Sequence, residues 1–391
     1  MNTKELLDIV SVGETSTVQF KQEIDDDKIA AEMIAMSNSK GGVILIGIQD
    51  KTGEIIGLNY EQLQSYNNRL ANIANDKVKP QIHIFTEVVS IHIENEDRKV
   101  LVVTISEGIH KPYKDKNGAI WIKQGSDKRR ETDNAEIMKL FQQGSNLLAD
   151  EMEVYETRID DIDERLFADY FKKEFGISYQ EKGLSYEEAL RAKRVLRNGK
   201  VTLAGLLFFG KEPQNIKPAF TIKTVSFFGN DIFGNSYRNK PEDLKGTIPE
   251  LFKQGMNFLT SNLKHLQQGQ DFNSVGVLEI SKTALLEILQ NSLIHRDYFK
   301  NSPVRVLIFD DRVEIISPGK LPNSLTVEEI KYGNPVIRNN QLAMFGANTM
   351  PYSGLGSGIR RAIAEQPNIE LINDIKGEQF IVKIPRPAES K

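Results

Sequence analysis

A chain of 391 residues, 39% hydrophobic and 27% charged, is long enough to bury two or three separate cores and has no low-complexity tract. The absence of cysteine excludes disulfides, thiolate zinc sites, iron–sulfur clusters and thiol nucleophiles. A net charge of −4 excludes a uniformly basic nucleic-acid coat, so any phosphate-binding surface must be a local patch.

The amino-terminal residues lack a basic stretch followed by an apolar one, and apolar runs such as Val43 to Ile48 are too short to span a bilayer, which makes the cytoplasm the expected compartment. From Lys4 to Val10 the pattern is that of an amphipathic helix, and Thr17 to Lys21 alternates like a strand. A helix follows over 28–38, broken at Ser39-Lys40-Gly41-Gly42, and the β-branched run 43–48 reads as a buried strand. A helix over 60–75, strands over 81–93 and 98–106, a hairpin near 110–124 and a helix over 133–142 complete a mixed first domain, 1–142.

Residues 143–160 are acidic and aperiodic and read as a linker, with helices at 163–175 and 185–196 filling the rest of an intermediate segment, 143–195. Beyond it the pattern predicts strands at 203–209 and 219–227, a helix at 247–264, a helix at 281–295, strands at 304–309 and 312–316, a helix at 358–365 and strands at 368–372 and 379–384. That alternation predicts an α/β sandwich over 196–391, and the whole chain an α+β protein.

Helix 281–295 carries the most chemistry. Leu285, Ile288, Leu289 and Leu293 fit one buried face, whereas Glu287, Asn291 and His295 stand at i, i+4 and i+8 on another. An Asn carbonyl can ligate Mg²⁺, and a Glu one turn earlier can polarise a water for attack on a terminal phosphate. Downstream, Gly354, Gly356 and Gly358 alternate ahead of a helix, where backbone can approach a phosphate and helix-start amides favour negative charge. Taken singly, polar residues at i, i+4 read as a solvated face and the glycines as a loop. There is no G-x-x-x-x-G-K-[ST] loop of a helicase motor. The five histidines, His83, His92, His110, His265 and His295, show no zinc spacing, and no nucleophile elbow follows a strand.

Leu286 to Tyr298, Asp311 to Pro322, Gly333-Asn-Pro-Val-Ile337 and Gly354-Leu-Gly-Ser-Gly-Ile359 together resemble the ATPase superfamily of gyrase, MutL and histidine kinases. The similarity is to the branch often described as RecG-like and now as divergent AlbA-type ATP-binding proteins, and it covers about 195–388. It implies Glu287 as general base, Asn291 as Mg²⁺ ligand, Gly319 in the adenine-side turn, and Gly354, Gly356 and Gly358 around the phosphates of ATP. One position departs: Ser317 stands where the superfamily usually has the Asp that accepts from the adenine amino group. The superfamily often dimerises around nucleotide, which implies a homo-oligomer, dimeric or higher.

Gly13-Glu14 through Gln19-Phe20-Lys21, Met36 through Asp50, Gly57, Lys111-Pro112-Tyr113 and Ile122 through Ser126 resemble, in order, the Schlafen AlbA_2 domain over about 10–140. In nuclease members an acidic trio holds a divalent metal, Mg²⁺ or Mn²⁺. Glu14 matches the first member, Gln19 replaces the second, and the third corresponds to Gln49 or Asp50. Neutral Gln lowers the charge of such a ligand set.

The basic cluster Lys111, Lys114, Lys116, Lys123, Lys128, Arg129 and Arg130, interleaved with Tyr113 and Trp121, reads either as a solvated hairpin or, with Lys21 and Lys40, as a phosphate-contacting surface with a ring that stacks on a base. Two functions follow: an ATP-gated binder of RNA or DNA, or an ATP-regulated nuclease of anti-phage defence cutting at Glu14, Asp50 and Lys21.

Overall fold

The computed structural model describes residues 1–387 except 51, 94–95, 145–146, 234–235, 267–275, 323–324, 334–335 and 355. The chain divides into two compact units, Met1–Leu147 and Leu148–Lys391.

The first unit contains α1 (Thr3–Val12), β1 (Val18–Lys21), α2 (Asp26–Asn38), β2 (Gly42–Ile46), α3 (Tyr60–Asn72), β3 (Ile84–Ile93), β4 (Glu96–Ile105), β5 (Trp121–Gln124), β6 (Asp127–Arg130) and α4 (Asn134–Gln143). β1, β2, β4 and β3 form a sheet in that order, with β1 parallel to β2 and the other pairs antiparallel. Strand alternation sorts the side chains of β4. Val100 and Val102 join Leu6 of α1 and Phe20 on one face, while Leu101, Val103 and Ile105 pack with Ile29, Met33 and Met36 of α2 on the other. Both faces of this sheet are therefore covered, which is why its central strands read as continuous apolar runs.

α2 is the axis of this unit: every residue from Ile29 to Asn38 is buried, including Glu32, Ser37 and Asn38. Asn38 spends its amide on backbone, donating to the carbonyls of Tyr113 and Trp121 at 2.9 Å each and accepting from Tyr113 N–H at 2.7 Å. That clamp holds the β5–β6 hairpin. Its strands lie slightly downstream of the span the sequence suggests, because Gly125, at φ +62°, is the residue that turns the chain.

The second unit contains α5 (Glu164–Phe175), α6 (Tyr186–Ala192), α7 (Leu203–Phe209), β7 (Ile222–Phe227), β8 (Tyr237–Asn239), α8 (Ile248–Asn262), α9 (Lys282–Ile294), β9 (Val304–Ile308), β10 (Arg312–Pro318), α10 (Val327–Tyr332), α11 (Asn340–Thr349), α12 (Gly358–Glu365), β11 (Glu370–Asp374) and β12 (Gln379–Pro385). The sheet order is β8-β7-β9-β10-β12-β11, antiparallel except for β7 beside β9. α9 packs on β10 and between α8 and α12. This is the α+β architecture that the sequence pattern indicates.

Two segments differ from their sequence expectation. Residues 203–209 are a helix, not a strand: Thr202 caps it by accepting from Gly205 N–H at 3.2 Å, and all seven helical residues are buried. A helix covered on every side has no apolar stripe, so its run looks like that of a buried strand. The acidic stretch read as a linker enters the core of the second unit, where Ala149 and Val154 are buried. Asp150, also buried, accepts from the N–H groups of Gln341 and Leu342 at 2.7 and 3.1 Å and so caps α11.

Candidate functional site

In the second unit, α9, the end of β10, the segment after it and the turn before α12 surround a cavity of about 150 Å³. Glu287, Asn291, Ser317, Gly319, Gly354, Gly356 and Gly358 all line it, although they lie up to seventy-one residues apart in sequence. Leu321, Ile337 and Phe380 add apolar wall, which suits an aromatic base at one end and a charged group at the other. Leu355 of the glycine stretch and Asn334-Pro335 of the Gly333 motif lie outside the described residues.

Close approach explains the glycines. At Gly319, φ is +99° and a β-carbon would stand 2.4 Å from Asp297 Cβ. Gly354 and Gly356 have φ of +67° and +71°, so their turn is left-handed at both positions. Gly358 has ordinary φ, but a β-carbon there would lie 2.6 Å from Glu287 Oε2 and 3.2 Å from Asn291 Nδ2.

Glu287 is buried and fully engaged. Oε1 accepts from Arg361 Nε at 2.8 Å and Nη2 at 2.5 Å, and Oε2 accepts from Gln290 Nε2 at 2.6 Å. Asn291 lies one turn on, its side chain facing the same cavity. An amide carbonyl is a hard oxygen donor, and a cation held there would complete its shell with water and phosphate oxygens, as Mg²⁺ does beside nucleotides.

Ser317 Oγ donates to the Ser292 carbonyl at 3.0 Å. With its proton committed inward, the hydroxyl presents only acceptor lone pairs to the cavity, the polarity that an exocyclic amino group needs. Ser317 thus offers an uncharged acceptor to the cavity. His295 Nε2 and the Tyr352 hydroxyl share a 2.9 Å hydrogen bond on the wall. Burial and the nearby Arg338 guanidinium lower the His295 pKa to about 4, so the ring is neutral near pH 7, and burial beside the Glu287 carboxylate raises Tyr352 to about 12. Arg361 and Tyr352 have no sequence signal of their own; only the tertiary pairing identifies them.

In the first unit the acidic candidates are each tied to a neighbour. Glu14 Oε1 accepts from the Gln19 amide and from Phe20 N–H. Asp50 is held by Lys21 Nζ at 2.7 Å and by Gln22 N–H at 3.1 Å, and Gln49 Oε1 by Thr52 at 2.8 Å. Among the described residues no three His, Asp or Glu side chains are grouped to hold a metal ion. The donor set of one carboxylate tied to an amide and another tied to an ammonium does not suit a divalent cation.

Part of the basic cluster is internal. Lys123, 1% exposed, pairs with Glu32 at 3.4 Å and donates to Gln19 Oε1 at 2.8 Å; Lys128 pairs with the same Glu32 at 2.7 Å. Lys111, 2% exposed, pairs with Glu107 at 2.6 Å. Burial pulls the Lys123 pKa down against the pull of Glu32. Each of these three lysines is thus held as a counter-ion to a carboxylate of the same unit. Tyr113 is buried, so its ring is not open for stacking, whereas Trp121 is half-buried with its indole N–H on Asp115 at 3.1 Å. Lys114 lies over the Phe141 ring, and Lys116 approaches Asp27 at 3.7 Å. Lys40, Arg129 and Arg130 are exposed, and the two arginines sit on β6 facing opposite sides of the hairpin.

Residues 14–132 match the family model described as "Schlafen, AlbA_2", and residues 301–375 match "Putative ATP-dependent DNA helicase recG C-terminal". The second match includes Ser317, Gly319 and the three loop glycines; Glu287 and Asn291 lie just before it. The two matches together associate the chain with ATP and nucleic acid. No curated protein matches the chain. Among solved structures, the DIP2311 protein from Corynebacterium diphtheriae is similar at 22% identity over 95% of this chain and 75% of that one, with a TM-score of 0.45. Among the described residues no helix is long and apolar enough to cross a membrane.

Proposed function

We propose that this chain, which joins a Schlafen AlbA_2 domain over 14–132 to a recG-carboxy-terminal-type domain over 301–375, is an ATP-binding regulator that holds nucleic acid through its first unit. The observation that carries this reading is the convergence of Glu287, Asn291, Ser317, Gly319, Gly354, Gly356 and Gly358 on one cavity. In this reading the adenine amino group donates to Ser317, the left-handed turn at Gly354 and Gly356 lets backbone N–H groups approach the phosphates, and Asn291 offers an oxygen to Mg²⁺. In the same reading Glu287 accepts a proton from a water attacking the terminal phosphorus, with ADP and phosphate as products, once Arg361 releases it.

The nucleic-acid surface in this reading is narrower than the full basic cluster. Lys40, Arg129 and Arg130 contact phosphate, while Lys111, Lys123 and Lys128 keep the hairpin and α2 together. Binding rather than cleavage is favoured because Glu14 and Asp50 are already partnered by Gln19 and Lys21.

The test is a gel assay of end-labelled tRNA, single-stranded DNA and duplex DNA with Mg²⁺, with and without ATP. Retarded, intact nucleic acid whose retention changes with ATP is the expected result. Cleavage that disappears in Glu14→Ala would replace binder with nuclease, and neither retardation nor cutting would remove nucleic acid as the partner.

A further inference from the structure

The proposed general base is restrained by an arginine as it stands. Oε1 of the Glu287 carboxylate accepts from two N–H groups of Arg361 and Oε2 from Gln290, so Arg361 fills one oxygen and only Oε2 keeps a lone pair to take a proton from water. The two partners differ in freedom. Glu287 is 5% exposed and cannot leave, whereas Arg361 is 43% exposed and sits on the first turn of α12, directly after the glycine turn. Its third nitrogen reaches that turn, Nη1 donating to Ser357 Oγ at 3.1 Å. One guanidinium thus spans the catalytic carboxylate and the segment where a phosphate would sit. Guanidinium matches carboxylate and phosphate in the same bidentate manner, so the two anions compete for it.

We infer that Arg361 is a phosphate-sensing switch on Glu287: a terminal phosphate beside Gly356 and Gly358 draws the guanidinium off the carboxylate, so that ATP, but not ADP, releases the base. This rests on the reading of the cavity as an ATP site. Arg361 is here a positioning residue for Glu287 and a discriminator between tri- and diphosphate. Gln290, buried beside it with its own carbonyl oxygen unpartnered, keeps the released carboxylate from following the arginine.

The switch predicts coupling that a merely structural ion pair does not. Glu287→Gln removes the charge that competes for Arg361, and the imido analogue of ATP then binds roughly tenfold more tightly while ADP is unchanged. In Glu287→Gln/Arg361→Ala, which also avoids leaving a buried carboxylate alone, that gain disappears and the analogue binds no better than ADP. Titration calorimetry of wild type, both single variants and the double variant with Mg²⁺ plus each nucleotide reads the cycle. A gain in Glu287→Gln that is equal for both nucleotides, or that survives loss of Arg361, overturns the inference while leaving the ATP site intact. A wild-type protein that binds neither nucleotide overturns the site itself, and the switch with it.

Discussion

Gly358 stands so close to Glu287 that a β-carbon at 358 would lie 2.6 Å from the carboxylate oxygen Oε2. The glycine is required by a neighbour's side chain and not by its backbone dihedral. Gly358→Ala therefore pushes Glu287 from its Arg361 and Gln290 contacts and intrudes on Asn291. Nucleotide affinity should fall by roughly tenfold or more, with a loss of stability on the order of 1–3 kcal/mol from overpacking. Calorimetric binding and thermal melting of the same sample read both quantities. Unchanged affinity would place the phosphates elsewhere.

Ser317 tests the base-binding end. Its hydroxyl donates to Ser292 and presents lone pairs to the cavity, so Ser317→Ala removes the acceptor and leaves a buried carbonyl unpaired. A lost hydrogen bond of about 1–1.5 kcal/mol corresponds to roughly tenfold in affinity. The preference for ATP over GTP should narrow by about that factor in competition binding. Ser317→Asp should retain the preference.

Asp150 provides a pH signature of the fold. Burial raises its pKa from 3.8 to about 6 despite the two helix-start N–H groups it accepts. The folded state therefore holds the proton more tightly than the unfolded state. The cost is full above pH 6, diminishes as pH falls, and vanishes below the unfolded value. Asp150→Asn keeps an acceptor for Gln341 and Leu342 without the charge, so it should be more stable by up to about 3 kcal/mol at pH 8. That gap should close near pH 4, as read by denaturant unfolding at several pH values.

The first unit separates two kinds of basic residue. Lys123→Ala leaves Glu32 with a weakened pairing in a buried site and should destabilise the domain by about 3–5 kcal/mol. Arg129→Ala and Arg130→Ala should leave melting unchanged and each lower the salt dependence of nucleic-acid binding by about one phosphate contact. Equal effects from all three variants would contradict the division.

The spacing of Glu287 and Asn291 and the order of the glycines were enough to gather one wall of the cavity, because helix period and glycine chemistry are local properties. Arg361 was not legible, since nothing in Gly358-Ile-Arg-Arg says that the second arginine folds back seventy-four positions onto Glu287. The pairing of the basic cluster was illegible for a related reason: Lys111, Lys123 and Lys128 look like surface charge until Glu107 and Glu32 are found beside them. α7 looks like a strand because complete burial erases the stripe that marks a helix.

The most direct test of the account is calorimetric titration of Mg·ATP into the wild-type chain and into Asn291→Ala. The account predicts saturable binding by the wild type and a loss of at least about tenfold in the variant, confined to Mg²⁺-containing buffer. No binding at millimolar nucleotide, or equal binding by the two proteins, would contradict it.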